Sequence, residues 1–570
     1  MEKYLVIMDR ALAAYPPDRM TDWFRKVQKT GVTEHGFPRL TANLGILIAH
    51  GLHTDLLPLF TEMMTFVCRD IRHGHCANDF SVRELLCALR EIRGAGLVPP
   101  DVIEGWRADL AALRAPGCYD KTAKDAFTRN HNWGCFAAAS EYLRQAEGLC
   151  DASGFLNVEL PSQLLNFDEN GMYRDPHCPT VYDIVPRAQL CVLLKFGYRG
   201  PRADAIRAQL KKGAAMTLRL QSVTGELPFG GRSNQFLFNE AIQAALFAYS
   251  AVIFAEDGDL SAAGQLQDAA NLSVDAILRN LELYRGSNHA KNRFGGDTGF
   301  GCEKYAYFDK YMITLASFTY LWHLLSDERI VPLPCPARTG GHAVLTGSAF
   351  HKCAASAGGY TLVWESAADP HYDATGLGRI HKAGVPSALA LSVPFAKHPN
   401  YRMPFGNRTP LAIAAGLRRG HEDIFPAALD YRVTEENGKE KLSARGDVCL
   451  GFSVLEETAE RVRVRVRYAV CEKTVTETWT VSADGALCLA ECPGETLVLP
   501  VPVFVTDGAE EARSTVRDGT LTVCFAGHTY TVSTDNALAR APQTLCNRNG
   551  LYGLCKITGK DKITAKFTLE

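Results

Sequence analysis

The apolar residues of this chain change their period once. Up to about residue 330 they recur at helical spacing, in stretches such as "RLTANLGILIAHGL", "SVRELLCALREIRGAGL", "FAAASEYLRQAEGL" and "FNEAIQAALFAYSAVIFAE". After "VPLPCPARTGG" (331–341) the period becomes two, most plainly in "RVRVRVRYAV" (461–470) and "KTVTETWTVSADG". A helical stripe and an alternating strand bury their apolar faces in different ways, so one layer cannot hold both. At 570 residues the chain is also too long for a single core. The expected architecture is an α+β multidomain chain. It has an N-terminal helical domain over 1–330, a linker over 331–341 and a C-terminal antiparallel β-sandwich over 342–570. Several helical stretches are apolar nearly all round and suit an inner layer; others, such as 201–220, are one-sided and suit an outer one. Alternation between the two predicts an (α/α) toroid.

The charges exclude some functions. Lys and Arg number 61 against 63 Asp and Glu, giving a formal net charge of −2 with both signs interspersed. That argues against a coat for nucleic acid or another polyanion. The arginines of 461–467 read as one solvated sheet face. No membrane partner is expected, because the sequence shows no uninterrupted apolar run of bilayer length. The N-terminal stretch has no clear hydrophobic signal region, which predicts a cytoplasmic protein. Eighteen cysteines occur without a CxxC pair. Reduced, mostly buried thiols are expected, with no metal and no cofactor. Whether the chain forms a homo-oligomer stays open.

Four loops at the mouths of the expected inner helices carry unusual chemistry. The first is Asn130, His131, Asn132 and Trp133. The second, 168–190, carries Tyr173, Arg174, His177, Tyr182 and Asp183. The third, 225–241, carries Glu226, Arg232, Asn234, Gln235 and Glu240. The fourth, 286–312, carries His289, Asp297, Glu303, Tyr305, Tyr307, Asp309 and Tyr311. Sugar rings offer apolar faces to Trp and Tyr and hydroxyls to amides, and uronic-acid carboxylates attract Arg or Asn. Taken singly, each Asn or Asp also reads as a helix cap or turn residue. Four such loops in succession favour a cleft that binds an oligosaccharide.

The order "NHNW", "NGMYRD…Y", "PFGGRS…F…A" and "YFDKYMITLASFTYLW" resembles carbohydrate-active enzymes that join a helical toroid to a β-sandwich. Gly231-Arg232-Ser233 followed by Phe236 and Phe238 is similar to a stretch in glycoside hydrolase family 154, a β-glucuronidase family. The layout is also similar to heparinase II/III-type polysaccharide lyases. The lyase resemblance implies β-elimination at a uronate: a neutraliser binds the carboxylate, a Tyr or His takes the C5 proton, and a Tyr protonates the leaving oxygen. It implies Asn132, or Asn130, as neutraliser and Tyr182 as acid/base, since 50 and 52 residues separate those asparagines from Tyr182. Arg232 is a further candidate for the carboxylate, and His131 or His177 a partner base. A sandwich histidine is implied too: "DPHYDATGLGRIHK" offers His381, with His371 and Tyr372 at the substrate. Its lack of a His-x-His grouping argues against a structural metal. Trp133, Tyr173, Asn234, Glu240, Tyr305 and Tyr307 complete the expected sugar contacts.

The hydrolase resemblance implies two carboxylic acids across the bond, with Asp168, Glu169, Asp175, Asp183, Glu226, Glu240, Asp297, Glu303 and Asp309 as candidates. A non-catalytic carbohydrate-binding protein would keep the aromatics and need no acid/base pair. Nucleotide chemistry and an α/β-hydrolase are disfavoured, because no phosphate-binding glycine motif or GxSxG elbow is present. An acidic oligosaccharide imported into the cell, cut from a chain end, is the expected substrate.

Overall fold

A computed structural model of the chain describes residues 2–72, 78–115, 117–119, 131–283, 291–295, 298, 300, 310–400 and 409–570. In chain order its long helices are α1 (Lys3–Leu12), α2 (Pro17–Thr30), α3 (Gly36–Ala49), α4 (Leu57–Ile71), α5 (Asn78–Ala95), α6 (Pro100–Ala111) and α7 (Asn132–Ala146). They continue with α8 (Ser153–Leu164), α9 (Val181–Lys195), α10 (Ala203–Leu220), α11 (Phe238–Glu256), α12 (Leu260–Glu282) and α13 (Tyr311–Leu325).

Helices α3, α5, α7, α9, α11 and α13 each pack on the next, and α13 packs back on α3, so the inner ring closes. The others lie outside it: α4 on α3, α8 on α7, α10 and α12 on α11, and α1 on α13 and α3. Composition sets these places. Helix α3 is buried from Gly36 through Ile48. Helix α2 buries only Met20, Phe24 and Val27, a single stripe at four- and three-residue spacing. Helix α11 is long and apolar enough to cross a bilayer, which the sequence analysis did not anticipate, yet 83% of its apolar window is buried inside the ring. Gly134 allows the close approach of α7 to α8, since a Cβ there would meet Gln163 Nε2 at 2.1 Å and Glu159 Oε1 at 2.2 Å.

Past α13 the chain turns through Pro336–Thr339 and enters antiparallel strands at His342. One four-stranded sheet runs through His342–Leu345, Lys352–Ala357, Tyr360–Glu365 and Gly376–Lys382 in chain order. It packs on an eleven-stranded sheet, and the two share one apolar core in which Trp364 meets Trp479 edge to face at 6.1 Å. In the strand Arg461–Val470 the valines and Tyr468 point into this core and the arginines point outward. Arg461 pairs with Glu456 on the neighbouring strand at 2.6 Å. The alternating arginines are therefore a solvated face.

The other side of the four-stranded sheet rests on the ring. Val344, Ala354 and Val363 pack with Met172, Leu220 and Phe229. Because the small sheet is covered on both faces, its inner strands show unbroken burial. Residues 222–237 run through this seam and are buried except at Arg232. All sixteen described cysteines are unpaired.

Candidate active site

Outer helices carry the chain back between successive inner helices, and all six inner helices begin at the same end of the ring. A hollow of about 110 Å³ lies there. Every inner helix gives it a residue: His35 and Arg39 at the start of α3, Phe80 of α5, Phe136 of α7, Tyr182 and Val185 of α9, Phe238 of α11, and Tyr311, Thr314 and Phe318 of α13. Ser233 and Lys310 complete the wall. Six helix N-termini make the place electropositive. The floor adds to this: Arg39 donates to Thr314 Oγ1 at 2.8 Å and to Glu84 Oε1 at 3.2 Å, and Arg83 pairs with the same glutamate and donates to Gln189 Oε1 at 2.7 Å. Burial opposes ionisation of Glu84, but Arg83, Arg39 and the Ser317 hydroxyl hold its pKa below the ordinary value. Two guanidiniums thus share one carboxylate, and Lys310 on the wall pairs with Glu34 at 3.0 Å.

The His35 ring lies tilted against Phe80 at 4.9 Å, and its Nδ1 has no hydrogen-bond partner among the described residues. Burial first, then the nearby charges of Arg39 and Lys310, push its pKa well below 6.5. The imidazole is thus neutral at pH 7 and able to take a proton.

Asp175 ties three loops to this mouth. Its Oδ1 accepts the Asn132 backbone N–H at 2.7 Å and the Asn132 amide Nδ2 at 2.9 Å. Its Oδ2 pairs with Arg232, whose Nη1 donates to Pro176 O at 2.6 Å. The Arg232 guanidinium lies 4.5 Å over the Tyr182 ring, and Tyr182 OH donates to Ser233 Oγ at 3.3 Å. Four non-glycine residues here, His177, Cys178, Ser233 and Gln235, have left-handed backbone. Each costs roughly 1 kcal/mol or more, a strain typical of sites that fix side chains precisely.

The sandwich closes the rim. Asp373 accepts the Gly231 N–H at 2.7 Å, and burial pushes its carboxyl up to about 6. Beside it, His371 Nδ1 lies 2.9 Å from Asp369 Oδ1, and Tyr372 OH accepts from Asn400 Nδ2 at 3.0 Å.

No family model matches the chain, and no curated protein matches it. Among solved structures the chain is similar to heparinase III. One such structure, with methylated lysines, shows 9% identity over 90% of this chain and 77% of the other, with a TM-score of 0.30. A second heparinase III structure shows 9% identity over 93% and 83%, with a TM-score of 0.32.

The expected site residues fall into four groups. Tyr182 lines the hollow, while Arg232 lies over its ring. A second group stands behind or beside it. His131 caps α7, its Nδ1 accepting Trp133 N–H at 3.2 Å, and Trp133 packs edge-on against Phe80 at 4.7 Å. Asn132 is buried with its amide N–H given to Asp175. His177 is exposed beyond the loop, and His371 and Tyr372 sit on the sandwich side.

The third group is interior. Tyr173 is fully buried, with its hydroxyl between Gln163 and Asn166, and Asn234 braces its own loop by donating to Gly231 O at 2.5 Å. Neither presents a surface to a ligand. His381 and Glu240 lie in the seam. His381 Nδ1 is 2.7 Å from Ser222 Oγ, and its Nε2 is 3.7 Å from Glu226 Oε2. Burial pushes its pKa down to about 3, against the pull of Glu226. Lys291 bridges Glu226 at 3.1 Å and Glu240 at 2.9 Å. The fourth group, Asn130, Tyr305 and Tyr307, lies outside the described residues.

Sequence reasoning missed His35, Arg39 and Lys310. A signal existed: His35 precedes α3 just as His131 precedes α7. The apolar periodicity drew attention to the helix from Arg39 onward and away from its mouth.

Proposed function

We propose that this protein is a carbohydrate-active enzyme that cleaves uronic-acid oligosaccharides by β-elimination in the hollow at the ring's mouth. One observation carries the reading: a neutral His35, the hydroxyls of Tyr182 and Tyr311, and the cations Arg39 and Lys310 line the same cavity. Arg39, Lys310 and the helix N-termini would hold the sugar's carboxylate, which acidifies the C5–H bond. His35 would take the C5 proton. The electrons of that bond form C4=C5, the C4–O4 bond breaks, and Tyr182 gives its proton to the departing oxygen. Asn132, expected to neutralise the carboxylate itself, acts in this reading by fixing the loop through Asp175.

Hydrolysis needs two carboxylic acids across the bond. None of the described lining residues of the hollow is Asp or Glu, while the candidate acids Asp297, Glu303 and Asp309 lie outside the described residues.

The test is incubation with a panel of uronic-acid oligosaccharides while following the ultraviolet absorbance of a 4,5-unsaturated product. A rising signal that His35→Gln abolishes is expected. Release of free uronic acid without that absorbance would overturn the reading in favour of a hydrolase.

A further inference from the structure

We propose that the outer face of the eleven-stranded sheet is a docking surface for a carboxylate-bearing polysaccharide, which lies along the strands between Arg463 and Arg465 on one bank and Lys566 on the other. This face is separate from the hollow; only the choice of a polyuronate as occupant rests on the reading given above. The pairing registers build the strip. Arg465 on Arg461–Val470 stands opposite Thr478 on Lys473–Ser482, Thr478 opposite Leu489 on Gly485–Thr506, and Leu489 opposite Thr564 on Gly550–Leu569. In the next row on this face, Arg463 is followed in the same way by Thr480, Leu487 and Lys566. The banks are therefore three strand spacings apart, about 14 Å, with two strands as the floor between them. The floor offers threonine hydroxyls to a sugar's hydroxyls, and it offers Leu487, 40% exposed, to the apolar face of a sugar ring. The cations are available. Glu456 on the edge strand is held by Arg461 at 2.6 Å and lies 3.8 Å from Arg463, whereas Arg465, Arg467, Lys562 and Lys566 form no ion pair among the described residues. Glu491 stands between Thr476 and Lys562 at the Arg467 end, so positive charge concentrates around Arg463, Arg465 and Lys566. The whole chain carries a net charge of −2, so this excess is local and is made by strand register. Such an excess on a flat, solvated face draws a polyanion to it.

The test is affinity electrophoresis of the full-length protein through gels containing polygalacturonate, or the same polymer with its carboxyls reduced to alcohols. Retardation by the first and not by the second is expected. Arg465→Thr combined with Lys566→Thr, at exposed strand positions where threonine fits, should weaken the affinity about fivefold, the scale of two exposed ion pairs lost together. Lys26→Gln combined with Lys29→Gln, both exposed on α2, makes the same change in net charge elsewhere and should leave the affinity unchanged. No loss in the sheet variant, or an equal loss in both double variants, overturns the proposal. Stronger retardation by duplex DNA than by polygalacturonate, weakened by the same sheet variant, overturns it too, because the face would then suit a nucleic acid. Both double variants should turn over a short uronic-acid oligosaccharide at the wild-type rate. If the sheet face retards the polymer and no uronate gives an unsaturated product, the docking role stands and the elimination reading falls. Unsaturated product without retardation removes the docking role alone.

Discussion

Two buried charge clusters, one at the ring's mouth and one in the seam, differ in how their charges are shared. At the ring's mouth two guanidiniums, Arg39 and Arg83, share one carboxylate, Glu84. In the seam one ammonium, Lys291, is shared by two carboxylates, Glu226 and Glu240, with Arg379 close enough to act on both. Burial is the strongest single influence on Glu226, but Lys291, His381 and Arg379 together hold its pKa low, while burial raises that of Glu240. The seam thus balances its charges internally and fastens the sandwich to the ring. At the mouth Lys310 pairs with Glu34 at 3.0 Å, and the neutral His35 has no hydrogen-bond partner for its Nδ1 among the described residues. A larger hollow of about 300 Å³ beside the seam includes Glu226 and Lys291.

That contrast can be broken in four ways. The largest effect is expected at the mouth: Tyr182→Phe should slow elimination by about 10²- to 10⁴-fold with little change in melting. A variant that keeps its turnover would remove Tyr182 from the chemistry. Next, Lys291→Met should cost about 3–5 kcal/mol of stability, since it leaves two buried carboxylates without their cation. Denaturant unfolding measures the cost, and turnover per folded molecule should stay at the wild-type level.

The third concerns pH. His381 has its pKa lowered from 6.5 to about 3 by burial, so between those values the unfolded chain binds a proton that the folded one does not. Its contribution to stability is therefore present above pH 6.5 and is lost as pH falls from there toward 3. His381→Gln should flatten the stability profile between roughly pH 6.5 and 5, above the range where carboxylates titrate; an unchanged slope would place the titration elsewhere. The smallest effect belongs to neither cluster. Arg465→Ser on the outer sheet face should change stability by no more than about 0.5 kcal/mol and leave turnover unaltered.

Much of the layout was legible because periodicity is local. The valines of 461–470 face the core and their arginines face water, as alternation requires. Three of the four singled-out loops meet through Asp175, and the fourth ends at Tyr311 on the hollow. Individual roles were harder to read. Tyr173 and Asn234 carry the right chemistry but are spent on internal hydrogen bonds. His381 has the right chain order but lies across the seam, against Ser222. His35 gave no strong signal, because its neutrality comes first from burial in the folded ring, then from Arg39 on its own helix and Lys310, which is 275 residues away in sequence.

The sequence by itself determined which segments are helix and strand and which helices lie inside, because spacing and composition act over a few residues. Only the tertiary structure decided which loop residues reach the hollow and which are consumed as braces. It also decided which buried charges are cancelled and which remain. Those outcomes depend on partners tens to hundreds of residues apart, and a side chain's chemistry is set by what it meets.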